Sequence, residues 1–252
     1  MIFLTGDCHG EFERFSKKQR MRQPFMMTEK DFVIICGDMG LVWADDKEFI
    51  YNKKWLCELP FTILWVQGNH ENYDMIDQYP IRMWHGGKVR HIVKDKIILL
   101  ERGQIFEIEG KSFFTFGGAS THDIQGGILD RTLPSYKKDR RRANRSGLSY
   151  RVKGVSWWAQ ELPSIDEMQE DFVVTHCLSG KMQEKLQTVL AAKGMDNLSK
   201  KIDAYEKDIL NIYFDEIEEK LMYKHWFCGH YHVNCRIDNQ HTVLYEDILW
   251  NI

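Results

Sequence analysis

Short apolar runs ending at glycine-framed turns, helix-length intervals between the first of them, and two hairpin patterns further on predict an α/β protein. Two β-sheets are expected to pack face to face with helices outside, a four-layer α/β/β/α sandwich. Residues 2–5, 32–36, 62–66, 97–100, 172–175 and 226–228 are apolar, partly β-branched and bounded by turns, as buried strands are. Asp7, Asp38 and Asn69 each stand just past one of the first three runs. Thirty-one residues separate the first from the second, and 31 the second from the third, room for a crossover helix and a return strand. Helices are expected in these crossovers at 11–21, 45–59 and 72–78. Residues 104–109 and 112–116 alternate across Gly110-Lys111 as a hairpin does, and 235–237 and 242–245 flank Asp238-Asn239-Gln240 as a second. Between 181 and 223, Met182, Leu186, Leu190, Ile209, Ile212, Tyr213, Ile217 and Leu221 recur at helical spacing. That stretch reads as a helical cap over the sheet edge, or as a self-association surface that makes a homo-oligomer. Residues 119–155 are turn-rich and read as a basic loop insertion.

Seven side chains suited to metal ions stand at these strand ends: Asp7, His9, Asp38, Asn69, His176, His230 and His232. They lie in GDCHG, GDMG, GNHE, TH and GHYH, where glycine lets the backbone turn sharply beneath a ligand cluster. Asp7 and His9 are two apart, as are His230 and His232, so each pair points to one side of an extended chain. Imidazole, carboxylate and one amide oxygen suit borderline divalent ions such as Mn²⁺, Fe²⁺, Zn²⁺ or Ni²⁺, of which Mn²⁺ is the one expected, and no grouped thiolates point to structural zinc. Seven ligands exceed one tetrahedral ion. Two divalent ions about 3.5–4 Å apart, bridged by one carboxylate, would use them all and keep positions open for water and substrate. Such a pocket is positive although the chain carries −3 overall, so an anionic substrate follows.

Since these ligands come from both ends of a 252-residue chain, residues 1–252 read as a single domain. With 34 basic and 37 acidic residues, the charge gives no global bias towards nucleic acid or membrane. Met1-Ile2-Phe3-Leu4 runs straight into Thr5-Gly6-Asp7 and no apolar run reaches membrane length, so no leader, no membrane association and a cytoplasmic location are expected. The six cysteines form no CxxC pair and read as small packing residues in a reducing compartment.

The five blocks, in this order and spacing, resemble the calcineurin-like metallophosphoesterases from residue 1 to about 250. A closer likeness, to compact bacterial and phage metallophosphatases, is carried by Arg102-Gly103-Gln104-Ile105-Phe106, by Gly117-Gly118-Ala119 with Asp123, by Ser156-Trp157-Trp158 and by Glu161-Leu162-Pro163-Ser164. The resemblance implies that Asp7, His9 and His232 hold one metal and Asn69, His176 and His230 the other, with Asp38 bridging. It implies His70 as the catalytic histidine, stabilising the transferring phosphoryl group or protonating the leaving oxygen. The protein serine/threonine phosphatases of this superfamily continue the second block as GDxVDRG; here it continues Met39-Gly40-Leu41-Val42-Trp43, without the aspartate that orients the histidine or the arginine that clamps phosphate. Glu71, Asp74, Asp45 and Asp46 are the candidates to orient His70.

The activity so implied is hydrolysis of phosphate esters by metal-activated hydroxide, on diesters or nucleotide-type substrates. A phosphomonoesterase, including a protein serine/threonine phosphatase, is the alternative within the enzyme class. A non-catalytic scaffold, or a nucleic-acid-binding protein using the basic run 137–145, is the alternative outside it. That run carries six basic residues against one acidic and is either a solvated surface or a lid whose arginines hold substrate. Arg140, Arg141 and Arg142 lie within it. Arg151, and less closely Arg131, matches an arginine of the resembling family.

Overall fold

The computed structural model describes residues 1–24, 26–119, 125–148, 150–152, 168–203 and 209–250. The first half runs β1 (Ile2–Thr5), a 3₁₀ turn (Glu13–Phe15), α1 (Lys17–Arg20), β2 (Phe32–Ile35), α2 (Lys47–Cys57), β3 (Thr62–Trp65), α3 (Tyr73–Ile76), β4 (Ile81–Trp84), β5 (Gly87–Val93) and β6 (Ile97–Leu100). These strands form a sheet in the order β1-β2-β3-β6-β5-β4, parallel through β6 and antiparallel beyond it. The second half runs β7 (Gln104–Ile108), β8 (Lys111–Phe116), β9 (Ile128–Leu129), α4 (Tyr136–Arg145), β10 (Arg151–Val152), β11 (Met168–Thr175), α5 (Gly180–Ala192), α6 (Asp196–Asp203), α7 (Ile209–Lys220), β12 (Leu221–Cys228), β13 (Cys235–Arg236) and β14 (His241–Val243). Its main sheet has the order β13-β14-β12-β11-β8-β7.

The period of two in the strands builds the layers. Ile2, Leu4, Ile34, Leu64, Ile98 and Leu100 of the first sheet pack against Phe106, Phe113, Phe172, Val174 and Phe227 of the second, forming the inter-sheet core. The alternate residues Phe3, Val33, Ile35, Ile63 and Trp65 face outward to Phe49 and Leu56 of α2 and Ile76 of α3. Phe114, Phe116, Val173 and Trp226 face outward on the other side to Leu210, Phe214 and Ile217 of α7. The four-layer sandwich is therefore the fold. Among the described residues the helical reading of 181–223 resolves into α5, α6 and α7, while 221–223 already belong to β12; α5 packs on residues 231–237 and α7 on the second sheet. None of the described helices is long and apolar enough to cross a membrane.

Several elements differ from the sequence expectation, among them the short parallel pair β9–β10 within the expected basic loop. The helix expected at 11–21 is split, because Ser16 turns extended and its hydroxyl accepts the amide of Gln19 as a new N-cap. Strands β4 and β5 were not expected. They are joined by His85-Gly86, both at positive φ (49° and 92°), a two-residue turn that suits a hairpin, while outward-facing Ile81 and Met83 hide the alternation. Residues 136–145 of the expected basic loop are helix α4, since lysine, arginine and alanine are good helix formers and the charge run masks the pattern. Asp123, Ser156-Trp157-Trp158 and Glu161-Leu162-Pro163-Ser164 lie outside the described residues.

Candidate metal centre

The parallel strands β1, β2, β3, β11 and β12 all end at one edge of the molecule, and the turns that follow carry the seven sequence-predicted ligands. Seven non-glycine residues have positive φ among the described residues, and four of them are His9 (50°), Asp38 (47°), His230 (71°) and His232 (51°). Backbone strain of this kind persists only where surrounding contacts enforce it. Glycine supplies the space: a Cβ on Gly68 would stand 1.9 Å from Asp38 Oδ1, and one on Gly229 would stand 2.1 Å from Asp7 Oδ1.

Three side chains converge first. His9 Nε2 lies 3.0 Å from His232 Nε2, and Asp7 Oδ2 lies 3.2 Å from His232 Nε2 and 3.7 Å from His9 Nε2. A second group forms around buried His176, whose Nε2 is 3.4 Å from Asp38 Oδ2 and 3.0 Å from Asn69 Oδ1; Asn69 Oδ1 is in turn 3.1 Å from His230 Nδ1. Asp38 touches both groups, since its Oδ2 is also 3.9 Å from His9 Nε2. All seven residues are thus brought together.

Neighbours aim these atoms. The His176 ring donates from Nδ1 to the Cys36 carbonyl at 2.7 Å, which leaves the Nε2 lone pair facing the cluster. Asp7 Oδ1 accepts the His230 amide at 2.8 Å, and Asp38 Oδ1 accepts the His70 amide at 2.7 Å, so each carboxylate keeps Oδ2 for the centre. Buried Asp7 Oδ2 has no hydrogen bond among the described residues. Asp7, His9 and His232 form one cluster able to hold a divalent cation and Asp7, Asp38 and His176 a second, beside which Asn69 Oδ1 and His230 Nδ1 stand, with the Asp7 acceptor left unsatisfied between them.

The charges respond accordingly. Burial opposes ionisation of Asp7, but His176, His232, His9 and the His230 amide outweigh it and hold its pKa far below the usual range. Burial likewise works to depress His176, and Asp38 and Asp7 overcome it, raising its pKa to about 9 in the metal-free protein. A raised histidine pKa stabilises the metal-free fold fully below its ordinary value of 6.5, and that contribution is lost as pH climbs through 9. Metal and proton compete for the same nitrogen. The thermal stability of the metal-free protein should therefore fall across this window while its affinity for Mn²⁺ rises and proton release per ion declines; calorimetry in buffers of different ionisation heat reads all three. Affinity that is flat over the window would contradict a ligand role for His176.

The sequence reading missed Arg14 and Tyr245. Arg14 reaches back from the 3₁₀ turn, donating to Thr5 Oγ1 (2.8 Å), to the carbonyls of Gly6 (3.2 Å) and Asp7 (2.6 Å), and to the Tyr245 carbonyl. The Tyr245 ring stacks on His232 with centroids 5.0 Å apart and planes 15° from parallel. Neither residue carries a motif: Arg14 joins the turn after β1 to Tyr245, 231 positions on, and Tyr245 reaches back to His232 across β13 and β14.

His70 is half-buried at the rim. Arg151 Nη2 lies 3.4 Å from each of its ring nitrogens, and the His9 ring stands edge-on at 5.3 Å. Burial lowers its pKa, Asp38 partly opposes this, and Arg151 and His9 add to the lowering, so the ring is neutral near pH 7. Glu71 does not orient it. Its Oε1 instead accepts the amides of Met39 (3.1 Å) and Gly68 (3.4 Å), tying two ligand turns together, and burial with Asp38 nearby pushes its pKa up to about 8. Asp46 caps α2 through the Phe49 amide. Arg131 is exposed in a turn, and Arg140, Arg141 and Arg142 are exposed on α4, where Arg140 donates to the Tyr150 hydroxyl. The ligand-adjacent thiols of Cys8, Cys36, Cys177 and Cys228 are buried, and burial raises those of Cys8, Cys36 and Cys228, as suits packing rather than ligation.

Two clefts open beside the centre. One of about 240 Å³ borders His9 and His70 and runs along Trp43 to α2; the other, of about 670 Å³, borders Asp7 and His9 and carries Glu11, Glu13, Arg14 and Asp247.

The sequence model of the calcineurin-like phosphoesterase family matches residues 1–234. A search of the curated proteins finds no match to the chain. Among solved structures, the phosphopantetheinyl hydrolase of Mycobacterium tuberculosis is similar over 97% of this chain and 89% of that one, at 13% identity and a TM-score of 0.37.

Proposed function

The chain belongs to the calcineurin-like phosphoesterase family, and from that premise we propose a dinuclear phosphodiesterase acting on nucleotide-type substrates in the reducing cytoplasm. Membership makes it a metal-dependent phosphoric ester hydrolase. In our reading Asp7, His9 and His232 would hold one divalent ion and Asn69, His176 and His230 the other, Asp38 would serve both, and Mn²⁺ would be preferred. The observation that carries this reading is the crowding of Asp7, His9 and His232 against Asp7, Asp38 and His176, with Asp38 Oδ2 3.4 Å from His176 Nε2 and 3.9 Å from His9 Nε2, and with His70 and Arg151 at the rim.

Ions of this kind lower the pKa of water and neutralise charge on phosphoryl oxygens. The chain's own groups do the rest. Arg151 presents a guanidinium to a non-bridging phosphoryl oxygen and fixes the substrate beside His70. His70, neutral by its surroundings, donates a hydrogen bond from its ring N–H where charge builds up on the transferring group and its departing oxygen. Glu71 keeps the Asp38 and Asn69 turns in register, so the donors need no reorganisation during reaction.

The diester preference rests on charge. Among the described residues one guanidinium is seen at His70, which suits the single negative charge of a diester better than the double charge of a monoester. Acidic residues on both clefts favour a short substrate over a long polyanion. Hydrolysis of bis-p-nitrophenyl phosphate should exceed that of p-nitrophenyl phosphate and require Mn²⁺. A higher kcat/KM on the mono-ester would overturn the diester assignment, and metal-independent turnover would overturn the metal assignment.

Arg151 and the α4 arginines are separable. Arg151→Gln should cost about 2–3 kcal/mol of transition-state binding, roughly 30–150-fold in kcat/KM, on small aryl phosphodiesters and nucleotides alike. Neutralising Arg140, Arg141 and Arg142 together should raise KM only for nucleotide-sized substrates, and less so at high salt. Identical kinetics of the triple variant on nucleotides, cyclic dinucleotides and short RNA would leave α4 a solvated surface.

A further inference from the structure

The cleft between His70 and α2 is not used by the groups so far assigned. Its floor and wall are apolar or aromatic: Leu41 and Phe49 are buried, while Trp43 is 43% exposed with its ring available to a ligand. Its rim on α2 bears Asp46, Glu48 and Asn52, and among the described residues its lining includes neither lysine nor arginine. Lys53 places its ammonium 4.5 Å from the Phe49 ring centre but is not part of that lining.

The wall is also held in place. Asn72 Nδ2 donates to the Trp43 carbonyl at 2.6 Å, and Asn72 Oδ1 caps α3 through the Met75 amide at 3.1 Å, so Trp43 is tied to the loop that carries His70. On its other flank Gly40 approaches so closely that a Cβ there would stand 2.4 Å from the Gly10 amide nitrogen, next to His9. His70 therefore has two unlike neighbours, the Arg151 guanidinium and a cleft with an acidic rim.

We propose that this cleft is the leaving-group subsite, built for one uncharged, flat group such as an aryl ring or a nucleoside base, and set against anionic leaving groups. The inference rests on the phosphodiesterase reading: the departing oxygen leaves beside His70, and whatever it carries enters the cleft that His70 borders. At about 240 Å³ the cleft takes one ring system, which Trp43 covers by stacking. A carboxylate or phosphate on that ring meets Asp46 and Glu48, and among the described residues the lining offers no lysine or arginine at that end to offset them.

The test compares two diesters, methyl 4-nitrophenyl phosphate and methyl 3-carboxy-4-nitrophenyl phosphate, whose phenols are of similar acidity and differ by one negative charge. Wild type should prefer the first by about tenfold in kcat/KM. Glu48→Lys should narrow that preference, and Trp43→Ala should raise KM for the neutral ester by roughly 5–10-fold with bound metal unchanged. Equal kcat/KM for both esters, insensitive to Glu48→Lys and Trp43→Ala, overturns the subsite while leaving the phosphodiesterase intact. Turnover of neither ester by metal-loaded wild type overturns the phosphodiesterase reading and the subsite with it.

Discussion

Asp38→Asn should release metal and abolish turnover together. The substitution keeps the side chain's shape, and Asn can still accept the His70 amide through the position of Oδ1, so the fold should survive with an unaltered circular dichroism spectrum. What it removes is the negative charge that faces His176 at 3.4 Å and His9 at 3.9 Å, one from each donor group. Outer partners of metal ligands typically cost about 10–100-fold in affinity, and loss of a ligand shared by both ions should cost more. Glu216→Gln, an exposed change on α7, should alter neither property. Elemental analysis that finds two ions still bound to Asp38→Asn would sink the shared-ligand assignment.

The second large effect is expected at His70, and it is of the opposite kind. His70 reaches the centre only at its rim and makes none of the converging contacts, so His70→Ala should bind metal as wild type does. Its kcat should fall by about 10²–10⁴-fold, the usual range for a side chain that acts in the transition state. Because ring and Arg151 lie side by side, part of the loss should be shared: Arg151→Gln added to His70→Ala should cost less than the two separate losses combined. Wild-type turnover in His70→Ala, or loss of metal from it, would show that the residue has been given the wrong role.

The site was far more legible in the sequence than its supports. Asp7, His9, Asp38, Asn69, His176, His230 and His232 announce themselves because ligand chemistry restricts the residue types and the turns beneath them need glycine, as the close approach of Gly68 and Gly229 to the two aspartates shows. The central strands were legible for a similar reason, since burial on both faces leaves continuous apolar runs in β1, β2 and β3. Arg14 and Tyr245 were not, because an arginine that gathers carbonyls, one of them 231 positions away at Tyr245, and a tyrosine that stacks on His232 across β13 and β14 carry no residue pattern of their own. Glu71 was considered as an orienter of His70 from adjacency alone, whereas its buried position turns it towards two backbone amides. The β4–β5 hairpin escaped because Ile81 and Met83 are exposed at the sheet edge, where apolar alternation no longer reports burial. Helix α4 escaped because a run of like charges reads as a loop, although the same residues propagate a helix well.

The central claim is that two divalent ions share Asp38, and anomalous diffraction from crystals grown with Mn²⁺ tests it most directly. Two anomalous peaks should appear about 3.5–4 Å apart. One should be ringed by Asp7, His9 and His232 and the other by Asn69, His176 and His230, with an Asp38 oxygen in contact with each. A single peak, or two peaks of which only one touches Asp38, would contradict the account.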